Sequence, residues 1–184
     1  MNEVPISPEE REQLIRLLTT SRESLRSAVA ACSPAPTRAE GRPGWSPAEI
    51  VEHLVATETA IFARLQTILA LPPDATRRSA LAARDATILK AVPDRSRRVE
   101  APSQLKPALR FPNLDTALAT FESARLRTIE LAESTQLDLR SRFDRHPFLR
   151  EMDAYQWLLF LAVHTDRHVS QLRESASKAV AAAE

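Results

Sequence analysis

Glycine is nearly missing from this chain, with two residues in 184. A sheet protein needs glycine turns and β-branched strands, so the scarcity argues against β architecture. Aromatic residues are few as well, at 5%. Cysteine occurs once, at Cys32, which excludes an intrachain disulfide and a zinc ribbon built from thiolates and is compatible with a reducing compartment. The formal charge is only +1, too small for a global field that would draw the chain to nucleic acid or anionic lipid. No apolar run approaches the roughly 20 residues of a membrane span. The opening MNEVPISPEEREQ has neither the basic start nor the apolar stretch of a signal peptide. The expectation is a cytoplasmic protein with no nucleic-acid and no membrane partner.

What is abundant is Ala, Leu, Arg and Glu, the composition of helices. A chain of this length forms one ordinary domain with a sizeable core. Ser7, Pro8, Glu9 and Glu10 form a capping signature, and Ser46, Pro47, Ala48 and Glu49 repeat it after GRPGW. Behind the first, Leu14, Leu17, Leu18, Leu25 and Val29 keep to one side of a 3.6-residue period. Behind the second, Ile50, Leu54, Ile61, Leu65 and Ile68 do the same. Asn113 is placed to cap a third helix and Asp153 with Gln156 a fourth.

The stretch from 72 to 112 carries six prolines, and nine Lys or Arg against four Asp or Glu, which sets it apart from its flanks. Within it RRSALAARDATILKA reads as a short helix. These features predict an all-α protein, one domain over 1–184. It is a four-helix bundle with helices at about 8–31, 47–71, 113–134 and 154–175, and a long crossover between helices two and three at 72–112. Short joints place helices one and two, and three and four, as antiparallel neighbours. The crossover leaves two and three parallel.

Trp157, Leu161, His164, His168 and Gln171 step by four, three, four and three along the last helix, the spacing of a packed seam, so both histidines face inward. Histidines at i and i+4 can reach one cation. His53 lies three residues after Ile50 and four before Thr57, on the inward face of helix two. Neutral imidazole suits Zn²⁺, Ni²⁺ or Fe²⁺, and three of them leave a coordination position for water or substrate. A buried histidine serves equally as a hydrogen-bonded core residue, so spacing alone leaves both readings open.

The remaining candidates read as structural. His146, followed by proline in RHPFLREM, belongs to a loop or turn, with lining of the site mouth as its other role. Glu49 could orient His53 but is explained by its capping position, and Gln171 reads as a polar seam residue ahead of a side chain that supports a ligating histidine or touches substrate. Arg95, Arg97 and Arg98 read as a solvated loop. Trp45 and Trp157 read as packing rather than as substrate platforms.

GWSPAEIVEHL and HPFLREMDAYQWLLFLAVHTDRHVSQL together resemble the DinB superfamily of damage-inducible, metal-binding four-helix bundles, which is unrelated to the DNA polymerase sharing that name. The specific part is W-S-x-x-E-x-x-x-H-L joined to H-x-x-R-H-x-x-Q, and the likeness follows the helix order of the whole chain. The resemblance implies a metal triad at His53, His164 and His168. The segment HPFLR, from His146 to Arg150, usually reads H-P-x-x-G in similar proteins, and here Arg150 stands at the glycine position.

Relatives include thiol-dependent S-transferases, a mycothiol-dependent isomerase and proteins described only as metal-dependent hydrolases. The resemblance therefore implies a metal-dependent hydrolase or thiol-dependent transferase that acts on a small molecule, with a low-molecular-weight thiol as co-substrate in the second case. Zinc or nickel is the expected ion, with iron and manganese as alternatives. No Asp or Glu is placed as a general base. The rival expectation is a non-catalytic, metal-stabilised or stress-related bundle acting as a binding module, with a homodimer formed through its outer helix faces.

Overall fold

In the computed structural model, residues 4–32, 44–78, 82–96 and 99–181 are described. Helix α1 (Pro8–Ala30) starts where the Ser7 hydroxyl accepts the Glu10 amide at 3.1 Å and the Glu10 carboxylate accepts the Ser7 amide at 2.9 Å. Helix α2 (Pro47–Leu69) starts the same way, with Glu49 accepting the Ser46 amide at 2.8 Å. Among its described residues, the crossover that follows holds short 3-10 turns at Ala75–Arg77 and Ser103–Leu105 and the helix α3 (Asp85–Ala91). Asn113 caps α4 (Leu114–Ser134) by accepting the Thr116 amide. Helix α5 (Ala154–Ala181) opens on a reciprocal pair, the Gln156 amide donating to Asp153 at 2.7 Å and the Asp153 amide to Gln156 at 3.3 Å.

Two buried layers show how the four long helices run. One gathers Leu14 and Leu18 of α1 with Ile61, Leu65 and Ile68 of α2, Ile129 and Ala132 of α4, and Leu158 to Val163 of α5. The other gathers Leu25, Ala28 and Val29 with Ile50, Val51 and Leu54, with Leu114, Ala117 and Phe121, and with Val169 and Leu172. The start of α1 is thus level with the start of α5 and with the ends of α2 and α4. Helices α1 and α5 are parallel, and α2 and α4 are parallel to each other and opposite to the first pair. Among the described residues α1 packs on α4 and α5, and so does α2.

The parallel α2–α4 pair on either side of the crossover matches the expectation. The neighbour relation does not, because α1 and α2 face each other across the bundle, as do α4 and α5. The joints are the reason. The chain between α4 and α5 is not a tight loop but holds a two-stranded antiparallel hairpin, β1 (Phe143–His146) with β2 (Arg150–Asp153), which gives enough chain to cross the diagonal.

Between the two apolar layers lies a buried polar one. Arg125 of α4 donates to both carboxylate oxygens of Glu58 on α2 at 2.8 Å, to Ser21 Oγ on α1 at 2.8 Å and to Thr165 Oγ1 on α5 at 2.9 Å. One guanidinium therefore touches every helix of the bundle, and with Glu58 it forms an ion pair shielded from water. Arg140, just before the hairpin, is a second hub. It pairs with Glu10 at 2.8 Å, Asp85 at 2.6 Å and Asp153 at 3.2 Å, and lies 3.7 Å over the Tyr155 ring. It fastens α3 and the hairpin to one end of the bundle, beside the α2–α5 seam.

Candidate metal centre

His53 projects from α2, and His164 and His168 from one stripe of α5, so the antiparallel α2–α5 seam brings three imidazoles together. Their ligating nitrogens lie within 4.8 Å of one another, and the ring centroids are 4.7 to 5.2 Å apart. Nε2 of His53 is 3.4 Å from Nε2 of His164. Two ligands on a tetrahedral zinc with bonds near 2.05 Å stand about 3.3 Å apart, so this pair already has the edge length of a zinc site.

The outer nitrogens are held from behind. Nδ1 of His53 lies 2.8 Å from the Leu105 carbonyl, which can only accept, so Nδ1 carries the proton and Nε2 presents a lone pair. Nδ1 of His168 lies 3.0 Å from Gln171 Oε1. That oxygen also accepts from Arg95 at 3.4 Å, which orients the amide and makes His168 the donor. Carbonyl or amide partners of this kind fix the tautomer of a ligating histidine. Burial pushes His53 below its ordinary pKa, takes His168 down to about 3 with help from the His53 charge, and takes His164 well below 6.5. At neutral pH the cluster is three neutral donors, the form a metal requires.

The triad opens into a cavity of about 640 Å³ walled by α2, α5, the crossover segments Ala91 to Ser96 and Val99 to Leu105, and the hairpin turn from His146 to Leu149. Several residues read from sequence as structural line it. Trp45 stands 5.0 Å from His53 and 6.5 Å from His168. Trp157 lies under the Arg64 guanidinium at 5.0 Å. His146, at the end of β1, packs on Trp157 and Phe160 at 5.1 and 4.8 Å and is pushed down to about 4, first by burial and then by the charge of Arg64. Arg95 is not a freely solvated side chain: it pairs with Glu174 at 2.9 Å as well as holding Gln171. Arg97 and Arg98 lie outside the described residues. Glu49 stays in its capping box.

Among the lining residues the carboxylates are Asp94 and Glu100, both on the crossover. The Leu105 carbonyl left no trace in the sequence, because a backbone acceptor has no residue signature. Gln171, by contrast, stood in the right place one turn after His168 and needed only its partner to be known.

The sequence model described as the DinB superfamily matches residues 17–172. No curated protein matches the chain. Among solved structures the fold is similar to that of YfiT from Bacillus subtilis, titled "a probable metal-dependent hydrolase with an unusual four-helix bundle topology". The two are 16% identical with a TM-score of 0.64, over 98% of this chain and 93% of that one.

Proposed function

The chain belongs to the DinB superfamily, and on that footing we propose that His53, His164 and His168 hold a divalent metal ion at which a small molecule is hydrolysed, within one domain spanning 1–184. The observation that carries this reading is the convergence of three neutral imidazoles, two buried and that of His164 half-buried, their ligating atoms within 4.8 Å, on the wall of a cavity rather than in a sealed core. An all-imidazole donor set favours zinc or nickel, with iron next. Manganese prefers carboxylate oxygens, which the triad lacks. Such an ion supplies Lewis acidity and brings the pKa of a coordinated water towards neutrality.

The chain's own residues do the rest. Leu105 and Gln171 hold His53 and His168 in the tautomer that points Nε2 inward. Trp45 shields two of the imidazoles from one side. The apolar walls exclude bulk water around a bound substrate. Thiol-dependent transfer would use the same triad. The shared fold with YfiT, given that protein's title, makes hydrolysis the first reaction to test.

Metal analysis of protein purified without an affinity tag is expected to show about one equivalent of zinc or nickel, lost in the His53→Ala, His164→Ala, His168→Ala triple variant. A wild-type chain that holds no stoichiometric metal even after reconstitution would refute the reading. The loaded protein is then to be screened on simple esters and amides, and on thiol cofactors with electrophiles. Turnover that survives in the triple variant would remove the histidines from the mechanism.

A further inference from the structure

We propose that the cavity beside the triad binds a mainly apolar small molecule bearing a carboxylate or carbonyl oxygen, and that the His146 Nε2–H and the Trp157 indole N–H receive this oxygen. The inference names the substrate class of the site proposed above, but it stands on different residues and can fail separately.

Buried polar groups are nearly always hydrogen-bonded. Yet Trp157 Nε1 and Thr57 Oγ1, in residues 2% and 3% exposed, have no partner among the described residues, and both residues line this cavity. His146 adds a third group. Its Nδ1 accepts the amides of Phe148 and Leu149 at 3.2 and 3.1 Å. Two donors aimed at one nitrogen leave that nitrogen unprotonated, so the neutral ring carries its proton on Nε2. His146 is 8% exposed and lines the cavity, and no partner to Nε2 occurs among the described residues.

A metal ion cannot satisfy these groups, because the two nitrogens are N–H donors. An oxygen acceptor can. Around them Ile61, Val99, Phe148 and Phe160 make the walls apolar. The N–H donors themselves refuse an ammonium, since neither can accept a hydrogen bond from it; the Arg64 guanidinium beside Trp157 is paired with Asp144 at 2.6 Å. The Phe160 ring stands between the two ends, 4.8 Å from His146 and 5.1 Å from His164. A ligand held by the N–H groups therefore needs a body about one aromatic ring long to bring its far end to the triad.

The test uses the full chain, with and without added Zn²⁺, and three probes of equal length: 4-phenylbutyrate, 4-phenylbutanamide and 4-phenylbutylamine. Nitrogen-15 spectra read the His146 ring and the Trp157 indole directly. The expected result is an Nε2-protonated His146, with saturable shifts of both N–H signals caused by the acid or the amide and not by the amine. Removing one hydrogen bond in Trp157→Phe should weaken that binding about tenfold, while Zn²⁺ affinity stays as in wild type. His146→Phe should act alike, but it also strands two backbone amides, so Trp157→Phe is the deciding variant. A protonated Nδ1, equal binding of all three probes, or unchanged binding in Trp157→Phe would overturn the proposal. Lack of metal or of hydrolysis would sink the earlier reading and leave this one standing.

Discussion

Arg150 has a left-handed backbone, with φ of 62°. It ends the turn that starts at His146, and it occupies the position where the H-P-x-x-G pattern carries glycine. A side chain in this region costs roughly 1–2 kcal/mol, whereas glycine adopts it freely and loses part of that gain to the entropy of the unfolded chain. Arg150→Gly is therefore expected to stabilise the protein by about 0.5–1 kcal/mol in urea unfolding. A loss of stability would mean that the exposed arginine makes a contact worth more than the strain. His146, four residues earlier, gives a pH dependence. Folded, it titrates at about 4 and His168 at about 3, against an ordinary 6.5. The unfolded chain thus binds more protons than the folded one just below pH 6.5, so stability is complete above that pH and falls as pH drops towards 4. The urea midpoint of metal-free protein should decrease between pH 7 and 5, and less steeply in His146→Phe. Equal slopes in the two proteins would show that His146 does not contribute. At this scale the inward aim of His53, His164 and His168 was legible in helical spacing, whereas their grouping as a metal triad was an implication of the family resemblance. The placement of His146 was not legible, because its neighbours come from α5 and its turn depends on backbone amides.

The crossover looked like a proline-rich, basic connection, and the structure makes it a wall of the site. Its register is set at Glu52, a buried carboxylate next to His53. One oxygen of Glu52 accepts the Ala108 amide at 2.9 Å, the Arg110 amide at 3.3 Å and Arg110 Nε at 2.8 Å. Leu109, between those amides, adopts a left-handed φ of 59° to let both point at it. This clamp keeps the preceding turn, and with it the Leu105 carbonyl, against His53. Loss of an outer partner of a ligating histidine costs about 10–100-fold in metal affinity. Glu52→Gln should therefore weaken Zn²⁺ binding by about tenfold in a competition titration, and Gln171→Leu by a similar factor through His168. Unchanged affinity in both variants would show that the imidazoles need no support from the groups behind them. None of this was readable from composition, since a run of prolines and arginines does not say which backbone oxygen it brings to which ring.

Across the whole molecule the polar layer is what makes the helices interdependent. Arg125→Met leaves Glu58 buried without its partner, and breaking a buried pair in this way costs about 3–5 kcal/mol. Replacing both, as Arg125→Met with Glu58→Leu, should recover most of the loss, because the desolvation of two charges disappears together. Chemical denaturation of the single and double variants measures both quantities. A single-variant loss below about 1 kcal/mol would mean that water or a rearranged neighbour takes over the guanidinium's role.

By itself the sequence determined the helices, their caps and the inward stripes, because capping boxes and a 3.6-residue period act between residues close along the chain. For the same reason it determined which histidines share a face. Only the tertiary structure decided that α1 and α2 lie across the diagonal, that the crossover supplies the Leu105 carbonyl to His53, and that His146 and Trp157, each with an N–H lacking a partner among the described residues, line one cavity. Those relations join residues tens of positions apart, and they depend on which helices pack together, which no local pattern records.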